Sequence, residues 1–405
     1  MLKKLLKFSL IVVLPALLVL GSLLFVFGQR HPAGIAGNTL EEKLENYTDL
    51  YAKQNGFSGT VLVAEKDRIL FHKSYGFASA EDRIMNRNDT QYRIASITKI
   101  ITAAAIAKLE EEGKLSLDDP LTRYFPDHTQ WEDIQVKHLL AHSSGLTSFE
   151  FVALDDVKSN DSNVTNEDIT QALLTQAAPE EQLETISEKP LSFLPGERSD
   201  YKNANYMLLG LIIEKITGQS YAEYVHDHLF IPAQMKDTVF HEEEAPRLAD
   251  PYSEGQRTTD TTSDTLYSFG GAISTASDVF QFIRALQTGQ LVSHHQVEKM
   301  GKPLFFNRGY GWITSELFKQ PTLSHGGDTL GFSSHLIYFP DSEYSVIVLS
   351  NHQLNLSNAY GGTSQVLKYL YDSTLKGGAH NLAAELASLL TGKTIWAWEK
   401  IPGSF

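Results

Sequence analysis

The distribution of apolar and polar residues along the chain predicts strands near both ends of the sequence. Short runs rich in β-branched and apolar residues, each bounded by turn residues, lie at 59–64, 69–76, 322–327, 333–339 and 344–350. Two strands do not form a stable sheet alone, so the early pair needs partners from elsewhere in the chain. We therefore expect both ends of the chain to contribute to one sheet.

Around and between these strands, apolar residues recur at helical spacing. The segments with this pattern are 38–54, 100–112, 134–142, 205–217, 221–229, 275–286 and 364–375. The layout predicts an α+β fold: an antiparallel five-stranded sheet built from both chain ends, flanked by terminal helices, with a large helical insertion at about 96–300. The domain would span 38–375, and we can assign no function to the tail at 376–405.

The beginning of the chain has the pattern of a membrane-targeting segment. Three lysines within residues 1–7 are followed by an uncharged run at 8–28, which is about the length that spans a bilayer. Because the lysines favour the cytoplasmic side, we expect a cytoplasmic stub at 1–7, a single-pass signal-anchor at 8–28, and the remainder outside the cytoplasm. A cleavage site at 34–36 lies rather far downstream, so secretion after signal cleavage is the alternative.

Charge and cysteine content exclude several classes of function. The 405 residues carry a formal net charge of −15, which argues against nucleic acid as a partner. There is no cysteine, so disulfides, thiolate catalysis and cysteine-ligated zinc are excluded. Histidines such as His226 and His228, or His294 and His295, do not have the spacing of metal ligands. We therefore expect no metal and no other cofactor.

The segment Ser96-Ile97-Thr98-Lys99 joins an extended stretch to the buried helix predicted at 100–112. Ser96 falls in the first turn, and Lys99, three residues later, shares its helical face. A desolvated lysine can take the proton of a serine nucleophile, and free N–H groups at a helix start can bind an oxyanion. Taken alone, however, the tetrapeptide is more often a helix cap followed by a surface lysine.

Two further motifs could complete a catalytic site. Tyr201-Lys202-Asn203 lies on a predicted loop just before a helix, where a tyrosine can carry protons and an asparagine can orient a lysine or a substrate amide. His325-Gly326-Gly327-Asp328 belongs to an edge-like strand, in which glycine allows another backbone or a ligand to come close. Each motif alone is weak, because a turn asparagine or a β-bulge explains it equally well.

Together, in this order and at these separations, the three motifs resemble those of the serine β-lactamase-like and penicillin-binding-protein family (the class C β-lactamase, D,D-carboxypeptidase and esterase type). That family carries Ser-x-x-Lys, then Tyr-x-Asn, then Lys- or His-x-Gly. The resemblance covers about 59–375 and includes accessory stretches at 138–146, 195–196 and 270–271. It implies a β-lactamase/transpeptidase-like fold.

The resemblance also implies roles for the residues of the first two motifs. Ser96 would be the acylated nucleophile, and Lys99 and Tyr201 would share proton transfer between Ser96 and the leaving group. Asn203 would hold Lys99 and the substrate amide. Which of Lys99 and Tyr201 acts as the acylation base stays open, since this assignment is disputed among related enzymes.

For the third motif, the resemblance implies a strand that binds the substrate. Two residues of this strand differ from the pattern of true β-lactamases. The N–H groups of Ser96 and Asp328 would form the oxyanion hole, and Gly327 would lie beside the substrate. His325 replaces the lysine of a Lys-Thr-Gly pattern, and Gly326 replaces its hydroxyl-bearing residue. Because histidine is mostly neutral at pH 7, we expect it to bind the carboxylate of an antibiotic more weakly than a lysine would.

These observations predict an extracytoplasmic, membrane-anchored serine hydrolase that forms an acyl-enzyme on Ser96. Its substrate would be a small peptide, an ester or a cell-wall-derived compound, as for a D,D-peptidase, a D-amino-acid peptidase or an esterase. The alternative is a β-lactamase-like binding or penicillin-sensing protein with little turnover. The natural substrate stays open, because substrate selection would depend on loops such as the acidic segment 155–167.

Overall fold

A computed structural model of the protein describes residues 29–30, 35–147, 178–253, 255–258, 266–317, 319–329, 331–353, 379–391 and 395–396. Four predicted segments lie outside these residues: the cytoplasmic stub at 1–7, the membrane anchor at 8–28, the acidic loop at 155–167 and the helix at 364–375. Within the described ranges, no helix is both long enough and apolar enough to cross a membrane.

A six-stranded antiparallel sheet forms the centre of the fold. Its strands are β1 (Gly59–Glu65), β2 (Arg68–Tyr75), β3 (Ile313–Leu317), β4 (Gln320–Thr329), β5 (Phe332–Phe339) and β6 (Tyr344–Ser350). Their spatial order is β3-β4-β5-β6-β1-β2. The pairing of β6 with β1, in which Ile347 lies opposite Leu62, confirms that both chain ends build one sheet.

The predicted count of five strands was wrong by one. The additional strand, β3, lies at the edge of the sheet and pairs with β4. Its three central residues are Thr314, Ser315 and Glu316, which are partly or fully exposed. An edge strand needs few apolar residues, so β3 gave no apolar run that could be recognised in the sequence.

The helices lie mainly between β2 and β3, as predicted. They are α1 (Leu40–Asn55), α2 (Thr98–Glu111), α3 (Val136–Leu140), α4 (Pro179–Ser187), α5 (Asn203–Thr217), α6 (Tyr221–Val225), α7 (Tyr267–Gly270), α8 (Ala276–Gln287), α9 (His294–Met300) and α10 (Ala379–Thr391). The segment predicted as one helix at 221–229 is α6 followed by a π-helical turn, His226–Phe230, and a short helical turn, Ile231–Ala233.

Short strand pairs connect the helical layer to the sheet. Tyr92–Arg93 pairs with Ile273–Ser274, and Phe77–Ser79 pairs with Ile84–Met85. Three more two-residue strands form a small sheet: Tyr252–Ser253, Gln256–Arg257 and His352–Gln353. Gln29–Arg30 pairs with Ile395–Trp396. The Tyr92–Arg93 pair matters most for function, because it leads directly into the Ser96 segment.

The two faces of the sheet cover two separate apolar cores. On the face that we call outer, Val61, Val63, Val346 and Val348 pack with side chains of α1 and α10 such as Leu386. On the inner face, the alternate residues of the same strands pack against the helical layer. Helix α10 lies beyond residue 375, in the tail for which we assigned no role from the sequence.

Helix α2 forms the middle of the helical layer and supports the Ser96 segment. Every residue from Thr98 to Ala107 is buried, so α2 is apolar on nearly all sides rather than along one stripe. It ends at Glu111, just before Gly113, which has a φ of +70° and stops the helix as predicted. A helix held on all sides fixes the position of the residues at its first turn.

Candidate active site

Ser96 lies in a tight turn between the strand Tyr92–Arg93 and helix α2. The turn, Ala95–Ile97, is a 3₁₀-helix, and Ala95 adopts a φ of +46°, which is uncommon for a residue with a side chain. Ala95 and Ile97 are buried, whereas Ser96 between them is partly exposed. The turn therefore presents one hydroxyl group at the surface of an otherwise packed segment.

Lys99 is fully buried, with 0% of its side chain exposed, and its ammonium group is surrounded by oxygen atoms. Its Nζ lies 3.1 Å from Ser96 Oγ, 2.8 Å from Asn203 Oδ1 and 2.7 Å from the carbonyl oxygen of Phe269. A buried cation is tolerated only where such acceptors replace water. These contacts place the amine of Lys99 directly against the serine.

Tyr201 approaches Ser96 from the loop that precedes α5. Its hydroxyl lies 2.9 Å from Ser96 Oγ, a distance across which a proton can pass. Two cations lie near its ring: Lys99 Nζ is 4.9 Å and Arg308 Cζ is 5.4 Å from the ring centre. Asn203, two residues later, is the first residue of α5 and reaches Lys99. The first two predicted motifs therefore meet at Ser96.

Strand β4 brings the third motif to the same place. A Cβ atom on Gly327 would lie 2.5 Å from the carbonyl oxygen of Ile94 and 2.8 Å from the backbone nitrogen of Ser96, so only glycine allows this approach. Ser334 on β5 donates hydrogen bonds to the carbonyl oxygens of Ile94 (2.8 Å) and Gly327 (3.2 Å). The side chain of Asp328, the next residue, is exposed. The backbones of β4 and of the Ser96 turn are thus held together.

His325 lies on β4 two residues before Gly327 and faces the same side. It is only 1% exposed, and the centre of its ring is 6.2 Å from that of Tyr201. Its Nδ1 is 2.5 Å from the carbonyl oxygen of Gly326. All predicted site residues therefore lie in one region, while the roles assigned to them stay predictions.

Three groups in this region were not assigned to the site from the sequence. The carbonyl of Phe269 is a backbone group, and only the neighbouring accessory stretch at 270–271 pointed to it. Arg308 belongs to no motif that we recognised. Burial lowers the pKa of its guanidinium, and the nearby Tyr201 and Tyr206 oppose that change. His142 lies in the accessory stretch at 138–146, and its ring packs on that of Tyr201, with 4.3 Å between their centres.

The site has the chemistry of a serine nucleophile. Across the described ranges, no three histidine, aspartate or glutamate side chains are grouped so that they could hold a metal ion. The serine hydroxyl instead contacts an amine and a phenol, both of which can exchange protons with it. Such an arrangement can form and release a covalent acyl group.

Comparisons with known proteins place this chain in a family. Residues 40–369 match the beta-lactamase family. A penicillin-binding protein of Bacillus subtilis (strain 168) is 30% identical over 340 residues, which cover 76% of this chain and 71% of the relative.

Two solved structures share the fold. The octameric penicillin-binding protein homologue from Pyrococcus abyssi has a TM-score of 0.69 at 27% identity, covering 87% of this chain and 77% of that one. D-amino acid amidase from Ochrobactrum anthropi SV3, solved with L-phenylalanine, has a TM-score of 0.69 at 21% identity, covering 87% and 98%. The chain therefore belongs to the beta-lactamase family, and it is a serine hydrolase with the β-lactamase/transpeptidase-like α+β fold.

Proposed function

We propose that the protein hydrolyses small peptides or esters through an acyl-enzyme on Ser96, as a D,D-peptidase, a D-amino-acid peptidase or an esterase. The observation that carries this proposal is the position of Ser96 Oγ, which lies 3.1 Å from Lys99 Nζ and 2.9 Å from the Tyr201 hydroxyl. The presence of Gly327 against the Ser96 backbone nitrogen supports it, because a substrate could lie along β4 at that point.

Tyr201, rather than Lys99, is the group that we assign as the acylation base. Three oxygen atoms lie within 3.1 Å of Lys99 Nζ, an arrangement that suits an ammonium group with three N–H donors. An ammonium cannot accept the serine proton, but it stabilises a phenolate beside it. Lys99 would therefore act as the fixed positive charge and Tyr201 as the proton carrier.

Acylation then proceeds in one cycle of proton transfer. Tyr201, as the phenolate, takes the proton of Ser96 Oγ while that oxygen attacks the carbonyl carbon of the substrate. The resulting oxyanion accepts hydrogen bonds from the backbone N–H groups of Ser96 and Asp328. When the tetrahedral intermediate collapses, the bond to the leaving group breaks and the leaving group takes the proton from Tyr201. Water then attacks the acyl carbon while Tyr201 takes its proton; the bond between that carbon and Ser96 Oγ breaks, Ser96 takes the proton back from Tyr201, and the acid is released.

The third motif favours neutral substrates over β-lactam antibiotics. His325 stands where true β-lactamases have a lysine, so the motif carries no permanent positive charge, and Gly326 offers no hydroxyl donor. A substrate panel that contains each peptide in its free and its amidated form measures this preference for neutral substrates.

The test of this proposal is covalent labelling followed by turnover measurements. We expect a fluorophosphonate probe to label wild-type protein, and we expect esters and D-amino-acid peptides to be hydrolysed much faster than penicillins or cephalosporins. Ser96→Ala should abolish both. If a fluorescent penicillin labels the protein but no ester, amide or peptide turns over, the binding or penicillin-sensing alternative is correct instead.

We also propose that residues 8–28 anchor the protein in the cell membrane, with the catalytic domain outside the cytoplasm. The uncharged length of this segment and the lysines before it support the proposal. N-terminal sequencing of the membrane-extracted protein from its native host is the test. A mature start near Gly37, with the protein free in the medium, would show that the segment is a cleaved signal peptide.

A further inference from the structure

His142 contacts the backbone on both sides of Tyr201. The N–H group of Asp200 donates to the carbonyl oxygen of His142 at 2.8 Å. The N–H group of Lys202 donates to the ring nitrogen Nδ1 of His142 at 3.3 Å. One residue therefore holds both neighbours of the tyrosine whose hydroxyl reaches Ser96.

The ring of His142 also packs against the Tyr201 ring itself. The two ring centres are 4.3 Å apart. The ring centre of Tyr206 lies 5.1 Å from that of His142. His142 is 3% exposed, so this packing excludes most water. Its φ of +55° is a conformation in which histidine and asparagine are enriched relative to other residues with side chains. The backbone and the ring of Tyr201 are thus fixed by the same neighbour.

Asn205 completes the set of polar contacts around the ring. Its Nδ2 lies 3.3 Å from His142 Nδ1 and donates to the carbonyl oxygen of Lys202 at 3.2 Å. Its Oδ1 accepts a hydrogen bond from the Ser144 hydroxyl at 2.5 Å. Because a backbone N–H and an amide both point at Nδ1, this nitrogen must be the acceptor, and the ring proton belongs on Nε2.

The surroundings keep this imidazole neutral. Burial lowers the pKa of His142 well below its usual range, and the positive charges of Arg308 and Lys99 lower it further. The N–H group of Lys202 donates to Nδ1, which accepts a hydrogen bond only while it carries no proton, so this contact also favours the neutral ring. A protonated ring would lose the acceptor that holds Lys202, so the neutral state and the geometry depend on each other.

We propose that His142 is a positioning residue for Tyr201: its carbonyl oxygen, its Nδ1 and its ring together hold the segment 200–202 so that the Tyr201 hydroxyl stays in contact with Ser96. This inference rests on the proposed role of Tyr201 as the proton carrier. It also gives a reason for the left-handed backbone at His142, because that conformation lets one residue present both its carbonyl and its ring to the same short segment.

Two substitutions distinguish the contribution of the His142 acceptor from that of its ring. His142→Asn keeps an oxygen acceptor near the position of Nδ1 and tolerates the positive φ, but it loses the aromatic ring. His142→Phe keeps a ring against Tyr201 and loses the acceptor. With p-nitrophenyl acetate as the probe, we expect His142→Phe to lower kcat by about 10- to 100-fold with KM nearly unchanged, since a displacement of 1 Å can cost about 100-fold. His142→Asn, which loses the ring contact but keeps an acceptor, should lower kcat by less, about three- to tenfold.

A double-mutant cycle distinguishes positioning from a general loss of stability. If His142 acts through Tyr201, His142→Phe should cause no further loss of kcat in a Tyr201→Phe background. The inference would be overturned if His142→Phe lowered kcat equally in both backgrounds. It would also be overturned if His142→Asn lowered kcat as much as His142→Phe. If His142→Phe does not fold, Asn205→Ala provides the same cycle: we expect a smaller loss, about three- to tenfold, that disappears in the Tyr201→Phe background. An unchanged kcat in folded Asn205→Ala would then count against it.

The same experiment tells the two proposals apart. If Tyr201→Phe alone leaves kcat unchanged, the proposed role of Tyr201 is wrong, and the inference about His142 fails with it. If Tyr201→Phe lowers kcat strongly but His142→Phe does not, only the inference about His142 is wrong. The activated ester keeps the residual rate of the Tyr201→Phe variants measurable.

Discussion

The inner and outer faces of the central sheet are formed by the same strands but depend on different kinds of contact. On the outer face, Val63 and Val346 pack against apolar side chains of α1 and α10, such as Leu386. On the inner face, the packing is interrupted by Gly327 and Ser334, whose atoms contact the backbone around Ser96. The outer face needs apolar volume, whereas the inner face needs particular atoms at particular distances.

This difference predicts how the two faces respond to substitution. An apolar core tolerates changes that conserve volume, because burial and packing do not depend on one atom. A catalytic site loses its chemistry when a single hydroxyl or amine is removed, although the fold remains. Changes on the outer face should therefore alter stability, and changes at the inner face should alter turnover.

The largest effect is expected from Ser96→Ala. Removal of the nucleophile should lower kcat for esters by about 10⁴-fold or more. The free energy of unfolding should change by less than about 1 kcal/mol, because Asn203 and Phe269 still accept hydrogen bonds from Lys99. Ester turnover and urea unfolding of the purified variant provide the check. Near-wild-type hydrolysis would mean that Ser96 is not the nucleophile.

Leu386→Ala on α10 should have the opposite outcome. The side chain is fully buried in the outer core, so its truncation should cost about 2–5 kcal/mol of unfolding free energy. We expect kcat per folded molecule to stay unchanged. Leu386→Met is the matched control and should cost less than about 1.5 kcal/mol. A large fall in kcat with little loss of stability would show that the two faces are not separable in this way.

The separation between the faces also explains what could be predicted from the sequence. Both chain ends were recognised as strands because their apolar residues repeat regularly, and three motifs identified Ser96 and Tyr201 by residue type. The carbonyl of Phe269, the guanidinium of Arg308 and the ring of His142 were not assigned to the site. Their contribution depends on where the folded backbone places them, and neighbouring residues in the sequence do not reveal that.

A change in the third motif should shift substrate preference by a smaller amount. His325→Lys combined with Gly326→Thr adds a permanent charge and a hydroxyl donor, which for a carboxylate partner is worth about 10- to 100-fold in kcat/KM. The ratio of nitrocefin to neutral-ester turnover at pH 7 should rise by that factor. Gln320→Lys, which adds a charge at the far end of β4, is the control and should leave the ratio unchanged. Wild-type protein that cleaves nitrocefin as fast as its best ester would contradict this account of the motif.

The smallest expected effect is a loss of stability in mild acid. Burial lowers the pKa of His142, so below about pH 6.5 the unfolded chain binds a proton that the folded protein does not. Stability is then fully present above that pH and falls by up to about 1.4 kcal/mol per pH unit as the pH decreases. Urea unfolding of wild type and His142→Asn at pH 7 and pH 5 measures this contribution. We expect the variant to lose less stability, and an equal loss in both proteins would assign the effect to other groups.

The central claim is that Ser96 forms a covalent acyl intermediate at the point where the three motifs meet. The most direct measurement is mass spectrometry of the full chain, quenched during turnover of an activated ester, with the modified peptide mapped in wild type and in Ser96→Ala. We predict one acyl group per chain, attached to Ser96 and absent from the variant. An acyl group on another residue, or the same adduct in Ser96→Ala, would contradict the claim.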